Sequence, residues 1–256
     1  MPPLTVLITG ASGGIGFAVA KRFAAAGREV ILHAHKNISA VNEFRETIQS
    51  QGGKAEIVAA DFSQPDTAEK LYRHVFDLTG QIDILVNAAG LDLMSHTLAS
   101  LPFEKKLQQI LQTDVFTPIQ LSRMIGTRMQ QRKQGTIFFL GWNGVDYGWQ
   151  GDTAQLYGAA KGALLGFSRS LAEDLAPDIL VRCLSLGWIK TRWGEKLSEE
   201  IEQHYATDSR RNRWGTPEEV AAVIEFLAGE ESKYIDGIGL RLDGEKRSGA
   251  LERIRN

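Results

Sequence analysis

The chain lacks the means to staple itself. Its 256 residues include one cysteine, Cys183, so no intramolecular disulfide can form and a disulfide framework is excluded. Cys183 lies in the apolar run 179–186 and reads as a small core residue. The chain also lacks a dominant charge. Twenty-nine Lys and Arg face 31 Asp and Glu, a net charge of −2, so neither nucleic acid nor an anionic membrane is an expected partner. No apolar stretch approaches the roughly 20 residues of a membrane span. The run at 4–8 is too short for a signal-peptide core and has no basic leader, so the expected location is cytoplasmic. His33, His74, His96 and His204 show no metal-ligand spacing and read as structural or surface residues; no metal is expected.

What remains is an alternation. Residues 4–9, 29–33, 55–59, 82–86, 136–140, 179–185 and 239–242 are short, aliphatic or β-branched, and bounded by Gly, Asp, Asn or Pro, which predicts strands. Residues 15–26, 40–51, 66–79, 103–131, 154–176 and 217–228 carry apolar side chains at helical spacing. Strand–helix alternation of this kind requires a parallel sheet covered on both faces. The expected architecture is a single α/β doubly wound Rossmann-type domain over 1–244 with about seven strands. Residues 192–215 form a presumed substrate lid, and 245–256 a charged tail.

The first strand runs into Thr9-Gly10-Ala11-Ser12-Gly13-Gly14-Ile15-Gly16, and a helix begins at once. Glycines permit a tight turn and close backbone approach to a pyrophosphate, and the helix N-terminus adds unpaired donors. Gly10, Ser12, Gly13, Gly14, Ile15 and Gly16 are therefore candidate cofactor contacts. A second absence is informative. An NAD site usually has an acid at the end of the second strand, for the ribose 2′-OH. None occurs between Glu29, where that strand starts, and Glu43, and His35 and Lys36 instead offer donors to a 2′-phosphate. NADP is the expected cofactor, with NAD as the alternative.

The glycine string, Asp61-Phe62, Asn87-Ala88-Ala89-Gly90, Tyr157-Gly158-Ala159-Ala160-Lys161, Leu186-Gly187-Trp188-Ile189-Lys190-Thr191 and Asp243-Gly244 together resemble the compact short-chain dehydrogenase/reductases, of the 3-oxoacyl-carrier-protein-reductase-like kind. The resemblance spans nearly the whole chain in order and spacing. It implies that Asp61, with Phe62 beside it, contacts the adenine. Asn87, Ala88 and Ala89 would border the cofactor at the central strand end, and Gly187, Ile189 and Thr191 the nicotinamide. It also implies a homotetramer or homodimer.

Tyr157 and Lys161 stand four residues apart on a predicted helix, hence on one face. A nearby ammonium favours phenolate, so Tyr157 is expected to move a proton at the substrate carbonyl or alcohol. Lys161 would also bond the nicotinamide ribose. Two positions depart from the family pattern. Where relatives usually carry a serine that polarises the carbonyl, this chain reads Gly141-Trp142-Asn143-Gly144-Val145-Asp146. The aligned residue is Trp142, or Gly144 by strict count from Tyr157. The Asn143 amide and the Trp142 indole N–H are the candidate replacements, with Asn143 preferred. Asp114 stands where relatives usually have a relay asparagine, and would add negative charge beside Lys161.

All five tryptophans fall between 142 and 214. Trp142, Trp149, Trp188 and Trp193 are expected to wall a pocket for a flat or ring-bearing small molecule. The reaction implied is hydride transfer between nicotinamide and a carbonyl or alcohol. A non-catalytic dinucleotide-binding or scaffold protein, and a dehydratase or isomerase using the same tyrosine, are the alternatives.

Overall fold

The computed structural model describes residues 3–93, 96–191, 197–235 and 237–244. Trp193, the segment 192–196 of the presumed lid and the tail 245–256 lie outside the described residues. Seven strands, β1 (Thr5–Thr9), β2 (Glu29–Ala34), β3 (Ala55–Ala59), β4 (Ile84–Asn87), β5 (Gly135–Trp142), β6 (Ile179–Leu186) and β7 (Ile238–Leu242), form one sheet. Its order is β3-β2-β1-β4-β5-β6-β7, and every pairing is parallel. This is the doubly wound sheet the alternation requires.

Helices follow the strands as α1 (Gly14–Ala25), α2 (Ile38–Ser50), α3 (Thr67–Thr79), α4 (His96–Ala99), α5 (Phe103–Ile110), α6 (Thr117–Arg132), α7 (Gly144–Tyr147), α8 (Asp152–Leu175), α9 (Glu199–Ala206) and α10 (Pro217–Leu227). Alternation along the strands feeds two cores. Val6, Ile8, Phe138 and Leu140 pack with α1, α2 and α10 on one face. Leu7, Ile137 and Phe139 pack with α3, α6 and α8 on the other. No helix among the described residues is long and apolar enough to cross a membrane.

The structure corrects the expected helix 103–131. It is α5 and α6 joined by a π-helical turn, Leu111–Phe116. Pro118 explains the change of pitch. It has no N–H to give the Asp114 carbonyl, and its ring would crowd that oxygen in an α-helix. Thr117 secures the turn, its hydroxyl sharing one proton between the carbonyls of Gln112 (3.0 Å) and Phe62 (3.1 Å). The short helices α4, α7 and α9 carry no long periodic signal and were not expected.

Strand order reverses about β1, whose two neighbours are β2 and β4, and the connections from those strands leave on opposite sides. The crevice opens beyond their carboxyl ends. Gly10 lines it with φ of +69°, and a Cβ there would lie 2.7 Å from the Cα of Ala89. Gly16 allows α1 to start against the same loop, since a Cβ at 16 would lie 2.3 Å from the Gly10 carbonyl oxygen. Helix propensity alone makes Gly16→Ala a gain of about 1 kcal/mol. The clash with backbone predicts the opposite, a loss of about 1–3 kcal/mol. A urea midpoint that rises in Gly16→Ala would show that the loop yields.

Candidate active site

A cleft of about 1620 Å³ runs across the carboxyl ends of the strands. At one end stands the glycine loop. Helix α1 begins behind Gly13, which supplies no side-chain cap, and its first turn holds no acid. The first N–H groups of that helix are the donors an anion would meet. Gly10, Ser12, Gly13, Gly14, Ile15 and Gly16 all line the cleft, as do His35, Lys36, Asp61, Phe62, Ala88 and Ala89. His35 and Lys36 are exposed at the rim. His35 stands 3.6 Å from the Asp61 carboxylate, which also accepts from the Ser63 N–H and hydroxyl and from Gln64. Burial works against the Asp61 charge, but these bonds outweigh it and lower the carboxyl's pKa. Asn87 lies beneath the cleft floor. Its amide donates to Ser122 Oγ (3.0 Å) and to the Phe138 carbonyl (3.1 Å), binding β4 to β5 and α6.

His33, expected to be merely structural, holds the loop in shape. Its Nδ1 accepts the Gly10 N–H at 3.1 Å, and its Nε2 donates to the Ala60 carbonyl at 3.1 Å. The ring stacks on Phe62 at 4.3 Å. The phosphate loop is thus tied to the segment after β3 through one imidazole. No local sequence signal marks this role, because both partners are distant in sequence.

At the other end, α8 presents Tyr157 and Lys161 on one face, and the π turn presents Asp114. Lys161 Nζ lies 3.5 Å from Asp114 Oδ2, and Asp114 Oδ1 accepts the Leu91 N–H at 2.9 Å. Gly90 makes room for that carboxylate, since a Cβ there would be 2.9 Å from Oδ2. The Tyr157 hydroxyl donates to the Leu91 carbonyl. The expected lowering of the phenol's pKa by Lys161 does not occur here. Burial pushes it up, and the Asp114 carboxylate adds to the effect. Burial likewise raises the Asp114 pKa, against the pull of Lys161. Thr113, on the cleft wall, has a buried hydroxyl with no partner among the described residues. An unmet polar atom at a cleft surface fits a site built for a polar ligand or water.

Asn143, the preferred candidate donor, does not line the main cleft. Its amide points to Asp243 Oδ2 at 3.4 Å, and the residue lines a smaller adjoining cavity of about 270 Å³ that shares Trp149, Gly187, Trp188, Ile189 and Tyr205 with the cleft. Trp142, the last residue of β5, lines the main cleft, its ring 6.4 Å from that of Tyr157. Trp149, Trp188 and Tyr205 line it too, and the three rings contact one another. Trp188 also packs on Trp214, which is buried in the protein and donates to the Glu202 carbonyl. This wall is therefore a continuous aromatic cluster joined to α9. Gly187, Ile189 and Thr191 border it. His74 and His204 are exposed, as expected, and no metal-holding cluster occurs among the described residues.

An all-parallel doubly wound sheet with a glycine loop at its switch point defines a Rossmann-type domain, here with a Tyr-Lys pair across the cleft. The comparisons specify it further. A family model described as enoyl-(acyl carrier protein) reductase matches residues 10–244. The chain belongs to the short-chain dehydrogenase/reductase family. It is 33% identical over 243 residues to the 3-oxoacyl-[acyl-carrier-protein] reductase FabG of Aquifex aeolicus, covering 93% of this chain and 95% of that one. It is 29% identical over 246 residues to an acetoacetyl-CoA reductase of Allochromatium vinosum, covering 93% and 96%. A short-chain dehydrogenase from Burkholderia cenocepacia J2315, solved in complex with NADP, superposes with a TM-score of 0.82 at 28% identity, covering 95% and 98%.

The His33 contacts set a pH dependence of stability. Burial lowers its pKa from 6.5 to about 4. Between those values the unfolded chain takes up a proton that the folded chain refuses. Stability is therefore complete above pH 6.5 and falls as the pH drops toward 4, by roughly 3 kcal/mol in all. His33→Asn keeps an acceptor for Gly10 and removes the titration. Urea unfolding from pH 7 to 4 should show a steeper loss in the wild type than in this variant; parallel curves would clear His33 of the effect.

Proposed function

We propose that the protein is an NADP(H)-dependent oxidoreductase that interconverts a small-molecule carbonyl and its alcohol, with Tyr157 passing the proton. The carrying observation is that the glycine loop, Tyr157 and Lys161 line one cleft at the carboxyl ends of the sheet. The relatives support the reading: two bear the names of carbonyl-substrate reductases, and a solved neighbour holds NADP.

When bound, the dinucleotide would supply or accept the hydride. The α1 N-terminus and the loop from Gly10 to Gly16 hold the pyrophosphate through backbone N–H groups. His35 and Lys36 meet the 2′-phosphate, Asp61 and Phe62 the adenine, and Asn87 with Ala88 and Ala89 stiffens the floor between. Gly187, Ile189 and Thr191 border the nicotinamide, and Lys161 bonds its ribose. Tyr157, kept protonated by burial and by the nearby Asp114 carboxylate, is placed to exchange a proton with the substrate oxygen. To do so its hydroxyl leaves the Leu91 carbonyl for the substrate oxygen. Lys161 and Asp114 stand behind it to restore the proton. Trp142, Trp149 and Trp188 give the substrate side a flat, apolar wall.

A non-catalytic dinucleotide-binding protein is the second reading. It is favoured by the engagement of Tyr157 with Leu91.

Two measurements test these readings. Tyr157→Phe should abolish NADPH oxidation on a panel of ketones and acyl thioesters while leaving NADPH affinity within about twofold. Unchanged turnover removes Tyr157 from the mechanism, and a wild type that binds NADPH yet turns nothing over favours the second reading. Lys36→Glu should weaken NADPH binding by tenfold or more and spare NADH, because it replaces a cation with an anion near the 2′-phosphate. Equal affinities for both cofactors in the wild type would sink the NADP preference.

A further inference from the structure

The family resemblance places a carbonyl-polarising serine at Trp142 or at Gly144, and neither has a hydroxyl. The two alignments meet at one point in space. A Cβ built on Gly144 would lie 2.3 Å from Cζ2, 2.4 Å from Cη2 and 2.5 Å from Cε2 of the Trp142 indole. The indole therefore occupies the volume in which a side chain at 144 would begin. Cε2 carries the ring nitrogen on its next bond, so the N–H lies one covalent bond from an atom already at that position. Gly158, directly after Tyr157, takes the opposite edge of the ring, with Cζ3 4.0 Å from where its Cβ would be. Two glycines thus seat the indole beside Tyr157.

The N–H is available. Among the described residues Trp142 donates no side-chain hydrogen bond, and its nitrogen is not among the atoms sealed from solvent without a partner. Contrast Trp188 and Trp214, whose N–H groups reach Asp208 (3.3 Å) and the Glu202 carbonyl (3.1 Å). The other candidate, Asn143, points at Asp243 and lines the smaller cavity.

We infer that the indole N–H of Trp142 donates the hydrogen bond that polarises the substrate carbonyl, in the place a serine hydroxyl would fill. This deepens the oxidoreductase reading and rests on it. Hydride adds to the carbonyl carbon, the C=O π pair moves onto oxygen, and Tyr157 supplies the proton that oxygen takes. The indole keeps its own proton and only stabilises the developing negative charge.

Trp142→Phe keeps a ring on Gly144 and Gly158 and removes the donor. Its kcat should fall 10²- to 10³-fold, the range seen on losing one such donor, with NADPH affinity unchanged. Trp142→Ser should recover at least tenfold over the Phe variant. A Trp142→Phe enzyme with wild-type kcat overturns the inference and leaves the oxidoreductase reading intact. A wild type without turnover on any carbonyl sinks that reading and this inference with it. A second measurement needs no variant to fold. In the dead-end complex of wild type, NADP⁺ and the ketone it reduces, the ¹H–¹⁵N indole resonance assigned to residue 142 should move downfield. An unmoved resonance overturns the inference even where the Phe variant cannot be purified.

Discussion

A carboxylate sealed from water is costly unless charge and hydrogen bonds meet it, and the Asp114 side chain is fully sealed. Lys161 meets one oxygen and the Leu91 N–H the other. The Leu91 peptide extends the chain of contacts, since its carbonyl accepts from Tyr157. Tyr157, Leu91, Asp114 and Lys161 therefore form a chain of polar contacts that starts and ends on α8 and ties it to the π turn and the loop after β4. Removing one partner of a buried pair typically costs about 3–5 kcal/mol. These contacts fix where the phenol sits. Pro118 is the backbone origin of this arrangement, because it forces the turn that carries Asp114 out of α-helical register.

The far end of the cleft is organised by a different principle. Here the donors are backbone N–H groups, and side chains serve to hold the backbone. His33 works as a neutral strut between Gly10 and Ala60 because burial denies it a second proton. An imidazolium could not accept from Gly10. One end of the cleft thus depends on a charge pair kept dry, the other on an uncharged ring kept neutral. Both follow from exclusion of water at the switch point of the sheet.

Much of this was legible in the sequence. Period-2 alternation at Val6, Leu7 and Ile8 assigns opposite faces of a buried strand, and the structure sends those residues to two different cores. The glycine string and the four-residue spacing of Tyr157 and Lys161 are local patterns, so they survive without tertiary knowledge. What escaped was non-local. His33 acquires its role from a contact 27 residues away. The π turn follows from Pro118, but its consequence for Asp114 depends on Leu91, across the cleft. No local signal separates Asn143 from Trp142 as the donor. Strand β5, however, runs two residues further than its apolar pattern shows, and ends with Trp142 in the cleft.

The two departures from the family pattern bear on the same atom. Charge near a phenol and donors near a carbonyl act on opposite ends of one proton transfer. Burial, and after it the Asp114 carboxylate, raises the phenol's pKa, which makes Tyr157 a weaker acid than a tyrosine beside an uncompensated ammonium. A weaker acid needs a more basic oxygen to accept its proton, and hydride arrival creates that oxygen as an alkoxide. Stabilising the developing charge with a hydrogen bond lowers the hydride barrier but also makes the alkoxide less basic. An indole N–H is a single donor with no acceptor lone pair of its own, unlike a hydroxyl. It can hold an oxygen without competing for the tyrosine's proton. On the proposed mechanism, a carboxylate behind the phenol and an indole beside the carbonyl are mutually consistent: proton transfer would wait until charge has accumulated on the substrate.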